Sequence, residues 1–226
     1  MTRFFLEKLL PNKKPEKFQC HYEDPGAVHM LGTKFGDFLT LLNPGLIRKM
    51  VIVGVGTDRS TGDSLGPLVG TKIKESFPGR LTVYGTLDEP VHAGNLSQKL
   101  TDIENEHPNS FIVAVDASLG KPSSIGQITL SPSALKPGTG VKKDLPLVGE
   151  IHFTGIINVA GHMEYFVLQN TRLSLVMRMA DSIARSIIHG YHLACSSAEE
   201  KTAAPLGVSP EKIHSHRDYD TIYEQV

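Results

Sequence analysis

Residues 49–70 read KMVIVGVGTDRSTGDSLGPLVG, and this stretch decides the fold class. Its first half is a compact, β-branched apolar run closed by Gly54 and Gly56, the pattern of a strand buried on both faces of a parallel sheet. From Asp63 the spacing changes. Leu65, Leu68, Val69, Ile73 and Phe77 fall on one helical face. A buried strand that runs through a glycine loop into an amphipathic helix opens a strand-helix-strand unit.

The pattern repeats downstream. Residues 81–84 predict a second strand, and 93–106 a helix with Leu96, Leu100 and Ile103 inward. Ser110 followed by FIVAV and Asp116 predicts a third, buried strand; 125–130 and 150–159 predict a fourth and a fifth. Residues 164–189 predict one long amphipathic helix, with Leu168, Leu173, Leu175, Val176, Met179, Ile183 and Ile187 as its apolar set. Upstream, 26–43 carries Met30, Leu31, Phe35, Phe38, Leu39 and Leu42 on one helical face and ends at Pro44-Gly45. Strands and helices alternating at this spacing require right-handed crossovers. The expected fold is a three-layer α/β/α with a mostly parallel twisted sheet.

The ends look different. Residues 1–25 are polar and Lys/Pro-rich, and a loosely ordered arm with a short helix over 4–9 is expected there. After Gly190 the chain turns polar, and 196–226 is expected to be a weakly ordered tail. The expected organisation is an N-terminal arm and packing helix over 1–47, the α/β domain over 48–190, and a polar tail over 191–226.

With 226 residues the chain has one domain's worth of core. A net charge of -1 gives no basic field for nucleic acid. The two cysteines, Cys20 and Cys195, with no CxxC, exclude a cysteine zinc cluster and a disulfide framework. The start is too charged for a signal peptide, and Arg172, Arg178, Asp181 and Arg185 interrupt the most apolar helical stretch, so no membrane span is predicted. A cytoplasmic chain acting on a protein or peptide, without nucleic acid or membrane, is expected. Assembly of identical copies remains open.

In open parallel sheets ligands bind outside the carboxyl ends of the strands. That rule selects the loop Gly54, Gly56, Asp58, Gly62, Asp63, the exit of the second strand at Asp88, Glu89 and His92, and Asp116 at the end of the third. Asp63, at a helix entrance, is placed to cap free N–H groups or to do chemistry. An acid directly after FIVAV is costly to bury without a partner or a task. Two carboxyls on one rim can activate a water, one as base and one as acid, or bind a divalent cation with a histidine such as His92. The third glycine of a dinucleotide fingerprint would fall on Arg59, so Gly54 and Gly56 are weak support for a nucleotide. Nor is there a GxxxxGK[ST] or an HExxH. No cofactor is expected.

Of the ten histidines, His214 and His216 lie in the polar tail, and His189 and His192 near a helix end. His152 and His162 flank the fifth strand within possible reach of the rim. Lys142 and Lys143 follow the turn carrying Gly138 and Gly140 and are either solvated or near the substrate. Backbone N–H groups of 54–62 and 137–141 are candidates to stabilise an oxyanion.

These residues have a familiar order. Gly54-Val-Gly56 followed by Gly62-Asp63-Ser-Leu-Gly66-Pro67-Leu-Val resembles the first strand-loop-helix of bacterial germination proteases, which degrade small acid-soluble spore proteins. Phe111-Ile-Val-Ala-Val-Asp116-Ala resembles their second catalytic segment. Ile128-Thr-Leu-Ser, with Lys136-Pro137-Gly138-Thr-Gly140-Val and Lys142-Lys143, resembles their following strand and glycine loop. Over its whole length the chain is most similar to YyaC-type sporulation proteins. Hydrogenase maturation endopeptidases share the wider fold and a similar opening. The resemblance covers about residues 48–190, a normal domain length. It implies an endopeptidase whose catalytic aspartates are Asp63 and Asp116, in the mother cell, forespore or spore core of a spore-forming bacterium. Residues 1–45 do not match a germination-protease propeptide, and no metal site carries over. The alternative is a catalytically inactive sporulation factor that keeps the fold as a protein- or peptide-binding module.

Overall fold

A computed structural model describes residues 15–138 and 145–203. Six strands form one sheet: β1 (Phe18–His21), β2 (Met50–Gly54), β3 (Thr82–Tyr84), β4 (Phe111–Gly120), β5 (Gln127–Ser131) and β6 (Ile151–Val159), in the order β1-β5-β6-β4-β2-β3. β3, β2, β4 and β6 run parallel, while β5 is antiparallel to both its neighbours. The helices are α1 (Ala27–Leu42), α2 (Leu65–Ser76), α3 (Leu96–Glu106), α4 (Glu164–Gln169) and α5 (Leu173–Ala203).

Alternation along the strands divides the core in two. Met50, Ile52, Phe111, Val113, Val115 and Phe153 meet Leu31, Phe35 and Phe38 of α1, Leu65, Val69 and Ile73 of α2, and Val176, Met179 and Ile183 of α5. Phe35 and Phe153 form an edge-to-face pair at 5.3 Å between centroids, where truncation of either ring typically costs about 3–5 kcal/mol. Val51, Val53, Val55 and Ala114 face the other way, onto Leu96 and Ile103 of α3 and onto Leu135 and Val148. The result is the expected three-layer α/β/α arrangement.

This topology fixes where a site belongs. From β2 the chain crosses through α2 to β3 on one side, then through α3 to β4 on the other. β2 and β4 therefore flank the point where the winding reverses, the place where open α/β sheets generally bind ligands.

Both chain ends depart from the sequence-based expectation. Within the supposed loose arm, β1 pairs with β5 from Phe18↔Leu130 to His21↔Gln127, and the Gln19 side-chain amide donates to Thr129 Oγ1 at 2.7 Å. It satisfies an edge that β5 would otherwise leave open. The supposed single helix over 164–189 is two, separated at 170–172, where Thr171 Oγ1 and Asn158 Nδ2 both donate to the Val167 carbonyl. α5 then continues through Gly190 to Ala203, into the supposed tail. Gly190 does not end the helix because α5 backbone there packs on α1: a Cβ on it would lie 3.0 Å from Gly36 N. The predicted helix over 4–9 lies outside the described residues.

Candidate active site

The loop after β2 is folded back over its own strand. Val55 N–H donates to Val115 O at 2.7 Å, Gly56 N–H to Val91 O at 2.8 Å, and Thr57 N–H to the Asp63 carbonyl at 3.0 Å. Gly56 has φ 138°, and any Cβ there would run into the Asp63 carbonyl. Gly66, in the first turn of α2, makes the second close approach: a Cβ on it would meet Val55 N at 2.6 Å and Val115 O at 2.8 Å. Helix backbone thus rests directly on the ends of β2 and β4. That contact carries Asp63 towards Asp116, which follows Val115 one residue beyond the end of β2. Asp116 does not close its own strand as the sequence suggested: β4 runs on to Gly120, because β6 continues to pair with it as far as Val159.

Asp63 lies in a 3-10 turn, Gly62–Ser64, and no side chain caps α2. Its carboxyl is therefore not spent on the capping role that its position suggested. Burial pushes it up to about 6, with the Thr57 backbone N–H acting in the opposite sense. Asp116 is 8% exposed. Burial, and then the negative charge of Asp63, raise it well above the usual carboxylate range; the Ala117 N–H, 2.8 Å from Oδ1, opposes this. Two carboxyls, one electrostatically aware of the other and both reluctant to ionise, occupy the switch point.

Comparison with known proteins follows the same stretch. Residues 19–186 match the family described as Protein of unknown function (DUF1256). The chain belongs to the DUF1256 family. A relative, the Uncharacterized protein YyaC of Bacillus subtilis (strain 168), is 56% identical over 140 residues, which is 62% of this chain and 68% of that protein. Among solved structures, the NiFe hydrogenase maturation protease HycI from Thermococcus kodakarensis KOD1 is similar at 17% identity and a TM-score of 0.39, over 66% of this chain and 99% of that one. The DUF1256 match contains Asp63 and Asp116 and every strand but the first residue of β1.

The other residues picked out from the sequence of this DUF1256 member are dispersed. Gly54 and Gly56 line the turn, and Gly62 packs beneath α4. Asp58 is exposed and accepts a 3.3 Å bond from Thr57 Oγ1. Glu89 is exposed, its carbonyl accepting from Thr86 N–H. His92 is held in its loop, Nδ1 accepting from Gly94 N–H at 3.1 Å and the main-chain N–H donating to Asn95 Oδ1 at 2.8 Å. Among the described residues no three His, Cys, Asp or Glu side chains gather as a metal-binding set, so Asp63, Asp116 and His92 do not form one. His152 pairs with Ala114, further from the carboxyl rim than Asp116, and its Nδ1 is 2.7 Å from Ser133 O. It does not reach the rim, and His162 is exposed. Gly138 has φ 67°; Gly140, Lys142, Lys143, His214 and His216 lie outside the described residues. The oxyanion role expected of the 54–62 loop is narrowed, because the N–H groups of Val55, Gly56, Thr57 and Arg59 already have partners.

Two features of the site lay outside the sequence reading. Gly62-Asp63-Ser64-Leu65-Gly66 satisfies the G-x-S-x-G pattern of serine-hydrolase elbows. Ser64 does not fill that role: it is 5% exposed, and its Oγ donates to the Thr61 carbonyl at 2.7 Å. Thiol nucleophiles are no better placed, since burial pushes Cys20 up to about 11 and also raises Cys195. The second feature is Thr154, which lies beside Asp116 in the β4–β6 register with its side chain on the same sheet face. Strand register alone reveals that neighbour. A groove of about 440 Å³ lined by Tyr22, Lys72, Met177 and Asp181 lies on the helical face instead, away from the pair.

Proposed function

We propose that this protein is a peptide-bond hydrolase in which Asp63 and Asp116 divide the work of base and acid. The observation that carries this reading is a pair of buried carboxyls at the switch point, one of them raised by the charge of the other. Burial raises Asp63 to about 6, and burial with the negative charge of Asp63 raises Asp116 well above the usual carboxylate range, which assigns Asp63 the part of base and Asp116 that of acid. Opposite protonation states in adjacent carboxyls are what acid–base hydrolysis requires.

The chemistry balances without another group. A water held between the two carboxyls attacks the peptide carbonyl carbon and gives a proton to Asp63. Asp116 protonates the amide nitrogen, the C–N bond breaks, and an amine and a carboxylic acid leave. Proton exchange with solvent then restores the pair. The buried Ser64 and the protonated thiols leave these carboxyls as the best-placed groups for activating water. The resemblance to germination proteases favours spore proteins as substrates and a sporulating cell as the setting.

The test is incubation of the purified chain with small acid-soluble spore proteins, with fragments read by mass spectrometry. Cleavage by the wild type, and loss of at least about 100-fold in Asp63→Asn and in Asp116→Asn, is expected. Full activity in either variant would refute the assignment. Cleavage of nothing by the wild type, with a protein co-purifying from sporulating cells, would favour the binding-module reading.

A further inference from the structure

α4 has one face fastened to the candidate site and another left bare. On the fastened side, a Cβ on Gly62 would meet Leu168 Cδ2, Leu168 O and Thr171 Oγ1, each at 2.9 Å. Asn158, near the end of β6, donates to Val167 O and Thr171 Oγ1, both at 3.2 Å. α4 is therefore pinned between the Asp63 turn and the strand beside β4. On the bare side, Met163 is 65% exposed, Tyr165 66% and Phe166 54%, and Leu173 just beyond is 59% exposed. Single exposed apolar residues mean little, but a run of large ones in one short stretch marks a contact surface. Met163 also takes φ 61° and ψ 42°, a left-handed conformation unfavourable for a residue with a side chain. Strain of this kind concentrates where function constrains the backbone.

We propose that Met163, Tyr165 and Phe166, continued by Leu173, dock an extended, apolar segment of the polypeptide on which the Asp63–Asp116 pair acts. This rests on the hydrolase reading and gives it a substrate class: unfolded or extended chain carrying bulky aliphatic or aromatic residues near the scissile bond. Continuity favours this occupant, because the helix that bears the patch also walls the Asp63 turn. Area favours it over a second copy of the chain. Four half-exposed side chains offer roughly 500 Å², short of the roughly 800 Å² per partner of a standard stable interface. A short extended peptide needs no more.

The experiment uses the full chain and two fluorescein-labelled Gly/Ser dodecapeptides, one with a central Leu-Phe-Leu and one with Ser at those positions. Binding is read by fluorescence anisotropy in the Asp116→Asn background, which separates docking from turnover, and hydrolysis is read in the wild type. The Leu-Phe-Leu peptide is expected to bind at least tenfold more tightly than its Ser counterpart. Met163→Ser/Phe166→Ser, both at exposed positions, is expected to erase that preference with an unchanged melting temperature. Equal binding of the two peptides, binding of neither, or a preference that survives the double substitution would overturn the docking proposal. So would a double variant that changes only the oligomeric state. Apolar preference without hydrolysis of either peptide would leave docking standing and count against the hydrolase; hydrolysis without preference would do the reverse.

Discussion

The negative charge of Asp63 raises the proton affinity of Asp116, while Asp63 itself is governed by burial and the Thr57 N–H. The pair is built by backbone: Gly66 lets α2 lie on the ends of β2 and β4, and Gly56 lets the loop turn over the Asp63 carbonyl. Main-chain contacts thus fix where the two side chains start, and only rotation about their own torsions alters the distance between the carboxyls.

Activity on a peptide substrate is expected to rise as pH increases through about 6, where Asp63 becomes the ionised base. It is expected to fall only at a higher pH, where Asp116 loses its proton. A pH series of kcat/KM, which reports ionisations of the free enzyme, checks both limbs. A rising limb near pH 4, the ordinary carboxylate range, would mean that Asp63 is not the base.

The same ionisation has a stability sign. Below the unfolded pKa of an aspartate, Asp63 is protonated in both states, and its burial costs little. As pH rises through about 6 the folded protein must hold a desolvated carboxylate, so stability is lost. Asp63→Asn removes that loss. The variant is expected to be more stable than wild type at pH 8 by about 2–3 kcal/mol, a shift of roughly two pKa units, and to show little gain at pH 4. Urea denaturation at the two pH values measures it; an equal gain at both would place the effect outside ionisation.

Each half of the pair announces itself in the sequence, FIVAV followed by Asp116 and MVIVG leading through glycines to Asp63, but the run past Asp116 to Gly120 has no apolar pattern to show that β4 continues. Their sharing of one rim was expected from topology; the contact that seats them, Gly66 against Val115, joins distant segments and was not readable. β1 escaped notice because four residues with one buried side chain, Cys20, give no readable alternation. The length of α5 was misjudged at Gly190, which reads as a stop signal in isolation and acts as a packing surface in the fold. His152 illustrates the limit of reasoning from strand ends: it belongs to the right strand, but register places it too far from the rim.

Gly66→Ala tests the backbone seat of the pair. Its Cβ would sit 2.6 Å from Val55 N and 2.8 Å from Val115 O, and both neighbours are main chain and cannot yield cheaply. A loss of about 3 kcal/mol or more is expected, at the upper end of overpacking effects. Gly79→Ala is the counterpart: unlike the helical Gly66 it has a positive φ of 71°, but its Cβ would meet nothing within 4 Å, so only the backbone cost of about 1 kcal/mol applies. Chemical denaturation of both variants separates crowding from conformation, and equal losses would show that the α2 contact is softer than its geometry implies.

Arg48 offers a destabilisation that should leave the chemistry untouched. Its guanidinium donates to Asn109 O at 3.1 Å and to Ser110 O at 2.6 Å, pairs with Glu150, and lies 5.2 Å over the Phe111 ring. Glu150 in turn accepts the Ile112 N–H at 2.9 Å. This network ties the amino ends of β2, β4 and β6 together, at the opposite edge of the sheet from Asp63 and Asp116. Arg48→Ala is expected to cost about 2 kcal/mol, from charge-assisted bonds lost at a half-buried site. Arg48→Lys should recover little, because an ammonium cannot reproduce the planar fork that spans the two carbonyls and the carboxylate. Under conditions where both variants remain folded, the pH midpoint of activity is expected to stay where the wild type has it. A moved midpoint would show that the two edges of the sheet are coupled, and that the Asp63–Asp116 geometry depends on more than the Gly56 and Gly66 contacts.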